Sequence, residues 1–160
     1  MSGHLLKKIQ TILPPSIMRH IINTYKPFRG ARIKMTYLSK DYRQVIIKMP
    51  LKWNNKNYFG TQYGGSLFSM TDSFYAIMLA SNLGRNYIIW DIEANIKFIK
   101  PGYSEVRAEF NLSIDELNEI KLATQNGDKF IFEKLVEVID KQNEIIALVN
   151  KKIYIRKKRD

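Results

Sequence analysis

The chain has 160 residues, no cysteine and only two histidines, His4 and His20. That is the size of one domain with one core, and it excludes a disulfide scaffold, a thiolate metal site and, over most of the length, histidine-centred metal or triad chemistry. Lysine and arginine outnumber the acids 26 to 15, a net charge of +11, which attracts polyanions in general: nucleic acid, anionic lipid or phosphorylated cofactors.

The first residues predict two short amphipathic helices. Leu5, Leu6, Ile9, Ile12 and Leu13 form one apolar stripe. Lys7, Lys8, Gln10 and Pro14-Pro15 interrupt it too soon for a secretion signal. Pro15 opens a second helix, with Ile17, Met18, Ile21, Ile22 and Tyr25 at helical spacing and Pro27 and Gly30 as its end. Two strands follow, "RIKMTYL" and "RQVIIKM", joined by the turn "SKDY". The asparagine-rich "LKWNNKN" is a loop.

After Gly65 the pattern becomes helical again. Leu67, Phe68, Met70, Phe74, Tyr75, Ile77, Met78 and Leu79 cover nearly every side of the wheel, as expected of one long buried helix. Asn82-Leu83-Gly84 is its stop. The second half is strand. Ile88, Trp90, Ile92, Ala94, Ile96 and Phe98 alternate with Ile89, Asp91, Glu93, Asn95 and Lys97, predicting one dry and one mostly polar face. Lys100-Pro101-Gly102 turns the chain. Val106, Ala108, Phe110 and Leu112 point inward from the next strand. "IDELNEIKLA" is a short helix, and "KFIFEKLVEVID" and "EIIALVNKKIYIRK" are two long strands joined at "KQN". Strands following a helix predict an α+β fold with an antiparallel sheet.

The stretch "NYFGTQYGGSLFSMTD" carries the chemistry. It places two glycines at a helix start and an acid seven residues after Gly65. The spacing resembles the signature of hotdog-fold thioesterases, Asn-x-x-Gly-x-x-His-Gly-Gly followed by an acid in the helix, with Asn57, Gly60, Gly64, Gly65 and Asp72 in register. "DIEANIKFIKPG" resembles the following hotdog strand and its Pro-Gly turn. The likeness covers roughly Ala31 to Lys157. "YGGSLFSMTD", "IIWD" and "FIKPG" are similar to a little-characterised branch grouped with tetrameric acyl-CoA thioesterases. The histidine before the glycines is Tyr63 here, and the histidine of that branch is Gln62.

The resemblance implies a single hotdog domain over residues 31–160, a long central helix wrapped by a curved antiparallel sheet, with residues 1–30 as a helical extension. It also implies acyl-CoA hydrolysis in a crevice between two copies. The Gly65 amide would polarise the thioester carbonyl, since a helix start has unpaired N–H groups and glycine allows close approach. Asp72 would act as general base for water or as nucleophile. On one straight helix it lies about 10 Å from Gly65, too far for both to flank one carbon. The resemblance therefore implies that Asp72 faces the glycines of the partner copy.

Asn57 would hold the loop or orient water, although turn asparagines usually bond their own backbone. Gln62 and Tyr63 are polar replacements for the histidine. Thr71 and Ser73 flank the acid. Gly64 would bind substrate beside Gly65, and Phe68, Phe74, Tyr75 and Met78 would edge an acyl pocket. Lys97, Lys100, Arg107, Lys151, Lys152 and Arg156 are candidates for the phosphates of coenzyme A. Asp91 and Glu93 read as alternating acids on an exposed strand face.

No metal or separate cofactor is expected, coenzyme A entering as part of the substrate. The expected partners are an acyl-CoA and further copies of the chain, as a dimer or tetramer, because a sheet of this kind exposes an edge strand. No specific nucleic acid is expected, the aromatics lying in core patterns. No segment approaches the roughly 18 apolar residues of a membrane span, so the protein is expected to be cytoplasmic. The alternative function is a non-catalytic acyl-binding or assembly hotdog protein. A dehydratase is disfavoured because no histidine lies near Asp72.

Overall fold

The computed structural model describes residues 13–159. Six strands form one antiparallel sheet: β1 (Lys34–Leu38), β2 (Gln44–Met49), β3 (Tyr87–Phe98), β4 (Val106–Asn111), β5 (Lys129–Asp140) and β6 (Ile145–Lys157), in spatial order β1-β2-β4-β5-β6-β3. Among the described residues five helices accompany it: α1 (Pro15–Thr24), α2 (Lys26–Ala31), α3 (Gly64–Ser69), α4 (Phe74–Leu83) and α5 (Ile114–Ala123). The sheet curves around α4, so the expected α+β hotdog architecture is the one observed.

The core follows the alternation of the strands. Val106, Ala108 and Phe110 of β4 are fully buried, as their period predicts. They meet Phe74, Met78 and Leu79 of α4, which are equally buried. The rings of Phe28, Phe74 and Phe110 form a chain, with centroids 5.8 and 5.2 Å apart. Phe28 on α2 and Met18 on α1 are buried in this same core. The apolar stripe ahead of Leu13 lies outside the described residues.

Four sequence expectations are corrected. First, Pro27 does not end a helix; it sits in the first turn of α2, where its missing N–H costs nothing. The left-handed residue closing α2 is Arg32, not Gly30. Second, the central helix is not continuous. Thr71 and Asp72 amides bond three residues back, to Phe68 and Ser69, and the Thr71 hydroxyl also bonds to the Phe68 carbonyl. Ser73 is left-handed, with φ 68°. Three consecutive side chains that compete for backbone groups, Thr-Asp-Ser, break the helix where the apolar wheel alone would extend it.

Third, β3 does not present one face throughout. Asp91 pairs with Ile153 and Glu93 with Lys152, leaving Ile92 as an extra residue in a bulge. Ahead of it Ile89 and Asp91 point inward; beyond it the phase switches, and Ala94 and Ile96 do. Ile88 and Trp90 are therefore exposed rather than dry. Fourth, Asp91 and Glu93 lie on opposite faces, and Asp91 is the inward one.

The two sheet edges differ. At β1 the Asn23 side chain of α1 donates to the Met35 carbonyl and accepts from the Met35 amide, at 3.1 and 2.8 Å, and Arg19 donates to the Thr36 carbonyl. These side chains occupy backbone groups that another strand would otherwise use. No such cover lies along the twelve residues of β3 among the described residues.

Tyr75 on α4 is 5% exposed, with its ring against Phe110 and Phe132. Burial pushes its phenol up to about 12 from 10.0, against the hydrogen bond from the Asn111 backbone. The unfolded chain thus loses this proton at lower pH than the folded one, so stability falls as pH rises from 10 to 12. Tyr75→Phe is expected to remove that part of the alkaline slope, measured by urea unfolding at a series of pH values.

Candidate active site

Of the glycine-motif residues, Asn57, Thr61, Gln62, Gly64 and Leu67 meet at one cleft, and Gly65 and Asp72 do not line it. A cavity of about 390 Å³ is lined by Asn57, Thr61, Gln62, Gly64, Leu67, Phe98 and the turn Ile99 to Gly102. The loop ahead of α3 builds its wall. Asn55 anchors the loop by donating to the carbonyls of Ala31 and Pro50 and accepting from the Lys52 amide. Asn57 is bound to its own loop: its Oδ1 accepts from the Phe59 and Thr61 amides and its Nδ2 donates to the Thr61 hydroxyl. This is the turn-forming use of asparagine.

Gln62 is 3% exposed and ties three segments together. Its Nε2 donates to the carbonyls of Met49 and Ser104, at 3.1 and 3.0 Å, and its backbone amide donates to Gly102. Its Oε1 is buried with no hydrogen-bond partner. The side chain that replaces the expected histidine therefore ties Met49 to Ser104, while the Gln62 backbone amide holds the Pro101-Gly102 turn.

Tyr63 precedes α3, and its carbonyl accepts from the Ser66 and Leu67 amides. No side chain caps the first turn of α3. A side chain at either of the next two positions would require an exposed ring to move aside. A Cβ on Gly64 would lie 3.0 Å from the Phe98 ring, and one on Gly65 would lie 2.6 Å from the Tyr63 ring. The Tyr63 ring thus lies against Gly65, itself more than half exposed.

Asp72 sits apart from that cleft within one protomer. It occupies the break between α3 and α4, with its side chain 55% exposed. One oxygen, Oδ1, accepts from Lys151 Nζ at 3.2 Å, and Oδ2 accepts from the Ser73 hydroxyl at 3.0 Å. Lys151 is 2% exposed. It also lies 3.2 Å from Asp91 Oδ1, off the hydrogen-bonding direction. Burial pushes the Asp91 carboxyl up, Lys151 opposes that, and the Asp72 charge adds to it. Sequence reasoning missed this trio, having read Lys151 as a phosphate contact. The signal was present: Lys151 falls on the apolar phase of β6, between Val149 and Ile153.

The break also yields a prediction. A left-handed β-branched residue is strained by about 1–3 kcal/mol. Ser73→Val is therefore expected to lower stability by that amount and Ser73→Gly to change it little, as read from denaturation midpoints.

The remaining candidates scatter. Phe68 is partly exposed on α3; Thr71 and Met78 are buried. Tyr75 opens on a different cavity, shared with Arg107, Glu109 and Lys134. Of the phosphate candidates, Lys100 is paired with Glu144, Arg107 with Glu109, Lys152 with Glu93, and Arg156 donates to the Gly127 carbonyl; Lys97 is exposed. Among the described residues no group of three or more His, Cys, Asp or Glu side chains is placed to hold a metal ion. Among them, too, no helix is long and apolar enough to cross a membrane.

A sheet curved around a central helix, with a glycine pair opening the short helix just ahead of it, defines a hotdog-fold protein, and solved structures agree. A Pseudomonas aeruginosa protein of unknown function, described as a probable thioesterase, superposes with a TM-score of 0.80 at 20% identity, covering 91% of this chain and 97% of that one. A thioesterase of Haemophilus influenzae gives 0.65 at 10% identity, covering 94% and 96%. A mutant thioesterase from Pseudomonas aeruginosa gives 0.64 at 11%, covering 90% and 95%. No curated protein matches the chain in sequence. The profile of the family described as "Domain of unknown function (DUF4442)" matches residues 16–155, and the chain belongs to that family.

Proposed function

We propose that the protein hydrolyses acyl thioesters, acyl-CoA foremost, in a crevice between two copies paired along their β3 edges. The observation that carries the reading is Asp72: a solvent-facing carboxylate, fixed at both oxygens, at a break in the helix that the glycine pair begins. The fold shared with thioesterases supports it, as does the cleft beside Gly64.

In this reading Asp72 of one copy removes a proton from water, and the oxygen attacks the thioester carbonyl carbon at the partner's cleft. The Gly65 amide, with the adjoining Tyr63 hydroxyl, receives the negative charge that develops on the carbonyl oxygen. The C–S bond then breaks, and the departing thiolate takes the proton from Asp72. No metal or redox group takes part; coenzyme A arrives with the acyl group. The uncovered β3 edge supplies the pairing surface.

The test is release of free thiol by the purified protein across saturated acyl-CoAs of increasing chain length, with light scattering on the same sample. Hydrolysis by a dimer or tetramer is expected. A strictly monomeric protein at micromolar concentration, or no turnover on any chain length, overturns the reading. A second reading, a non-catalytic acyl-binding or assembly protein, is favoured by Gln62, whose side-chain amide ties Met49 to Ser104 where the resembling branch has a histidine. Saturable acyl-CoA binding without thiol release is its outcome.

A further inference from the structure

The alternation of β6 sends Ala147, Val149, Lys151, Ile153 and Ile155 to one buried face. Four are apolar and one is a lysine. An ammonium does not stay charged in such a layer without partners. Lys151 has two, arriving from different elements: Asp72 from the α3–α4 break and Asp91 from β3 just ahead of the bulge. Lys134, in register with it on β5, is engaged by Glu116, and the Ser73 hydroxyl takes the other oxygen of Asp72. One cation thus faces two carboxylates in unequal settings, Asp72 half exposed and Asp91 mostly buried.

We propose that Lys151 is a positioning residue whose ammonium is shared between Asp72 and Asp91, so that Asp91 limits how tightly Asp72 is held. The use made of this sharing rests on the hydrolase reading above. A carboxylate with a cation to itself is well aimed but a weak base; one with no cation is a stronger base and poorly aimed. Division of one buried charge between two acids keeps Asp72 in place and still able to take a proton. As pH falls and Asp91 is protonated, Lys151 is left to Asp72 alone, and the base weakens.

The experiment compares Lys151→Met and Asp91→Asn in the full chain, following kcat and KM against pH on an acyl-CoA that the wild type hydrolyses. The Asp72 carboxyl is titrated in parallel by carbon NMR. Lys151→Met is expected to move the acid limb to higher pH, with about tenfold lower kcat/KM on that limb. Asp91→Asn, nearly isosteric and therefore expected to fold, moves the limb to lower pH and lowers the plateau kcat several-fold at unchanged KM. A shared cation goes beyond field effects: Asp91→Asn should displace the limb less in a Lys151→Met background than in the wild type, whereas direct repulsion between the acids alone would displace it equally in both. A wild-type limb and plateau in Asp91→Asn, displacement of both variants in one direction, or equal displacement in both backgrounds overturns the proposal and leaves the trio a structural contact. A wild type inactive on every thioester removes the hydrolase reading alone; the Asp72 titration then decides the sharing by the same comparison of the single and double variants.

Discussion

Asp72→Asn is expected to lower kcat for thioester hydrolysis by about 10²–10⁴-fold, the usual worth of a positioned acid–base group, while KM changes little. The amide keeps the shape of the side chain and its contact to Ser73 but accepts no proton. Because Asp72 is more than half exposed, the substitution opens no cavity, but it takes one of two counter-charges from the buried Lys151, and the unfolding midpoint is expected to fall modestly. A variant that keeps full hydrolysis on every active acyl-CoA would end the assignment. The exposure of Asp72 decides its interpretation: a sealed carboxylate in that helix would have been structural, whereas this one is reachable and fixed at both oxygens.

The second large effect is on stability. Phe74→Ala is expected to cost about 3–5 kcal/mol, the range for removing a buried phenyl ring, out of a total on the order of 5–15 kcal/mol. The ring is 1% exposed and stands between Phe28 of α2 and Phe110 of β4. It therefore joins three parts of the chain that are far apart in sequence. It also follows Ser73 directly, so its anchorage holds the left-handed turn that presents Asp72. Urea unfolding with an unchanged slope measures the loss; a cost below 1 kcal/mol would mean that the cavity collapses or that the ring chain contributes little.

Much of the fold is legible in residue order because the strands alternate cleanly. Val106, Ala108 and Phe110 show their buried face by period alone, and "IDELNEIKLA" forms the helix α5, capped reciprocally by Ser113 just before it and Glu116. Two features escape such reading. The helix break at Thr71-Asp72-Ser73 loses to the apolar wheel around it, because side-chain competition for backbone groups is a local effect with no period. The bulge at Ile92 is hidden because isoleucine stands on both phases of β3, at Ile88, Ile89, Ile92 and Ile96, so a change of face leaves no mark. Of the candidate site, the loop, the glycines and the acid are legible as a motif. The partners of Asp72 are not, because Asp91 and Lys151 reach it from two other strands. The cleft at Gly64 and the acid at Asp72 lie apart within one protomer, and no sequence pattern states how the proposed pairing of two copies would bring them together.

The two-point hold of Asn23 on Met35 has a consequence for how assembly ends. A ribbon of hydrogen-bonded chains propagates only if each added unit offers a fresh free border. Here one border is already occupied from within, so a unit that docks along the other leaves nothing for the next to extend. Growth through backbone pairing would then stop at two, because Asn23 and Arg19 already hold the β1 border.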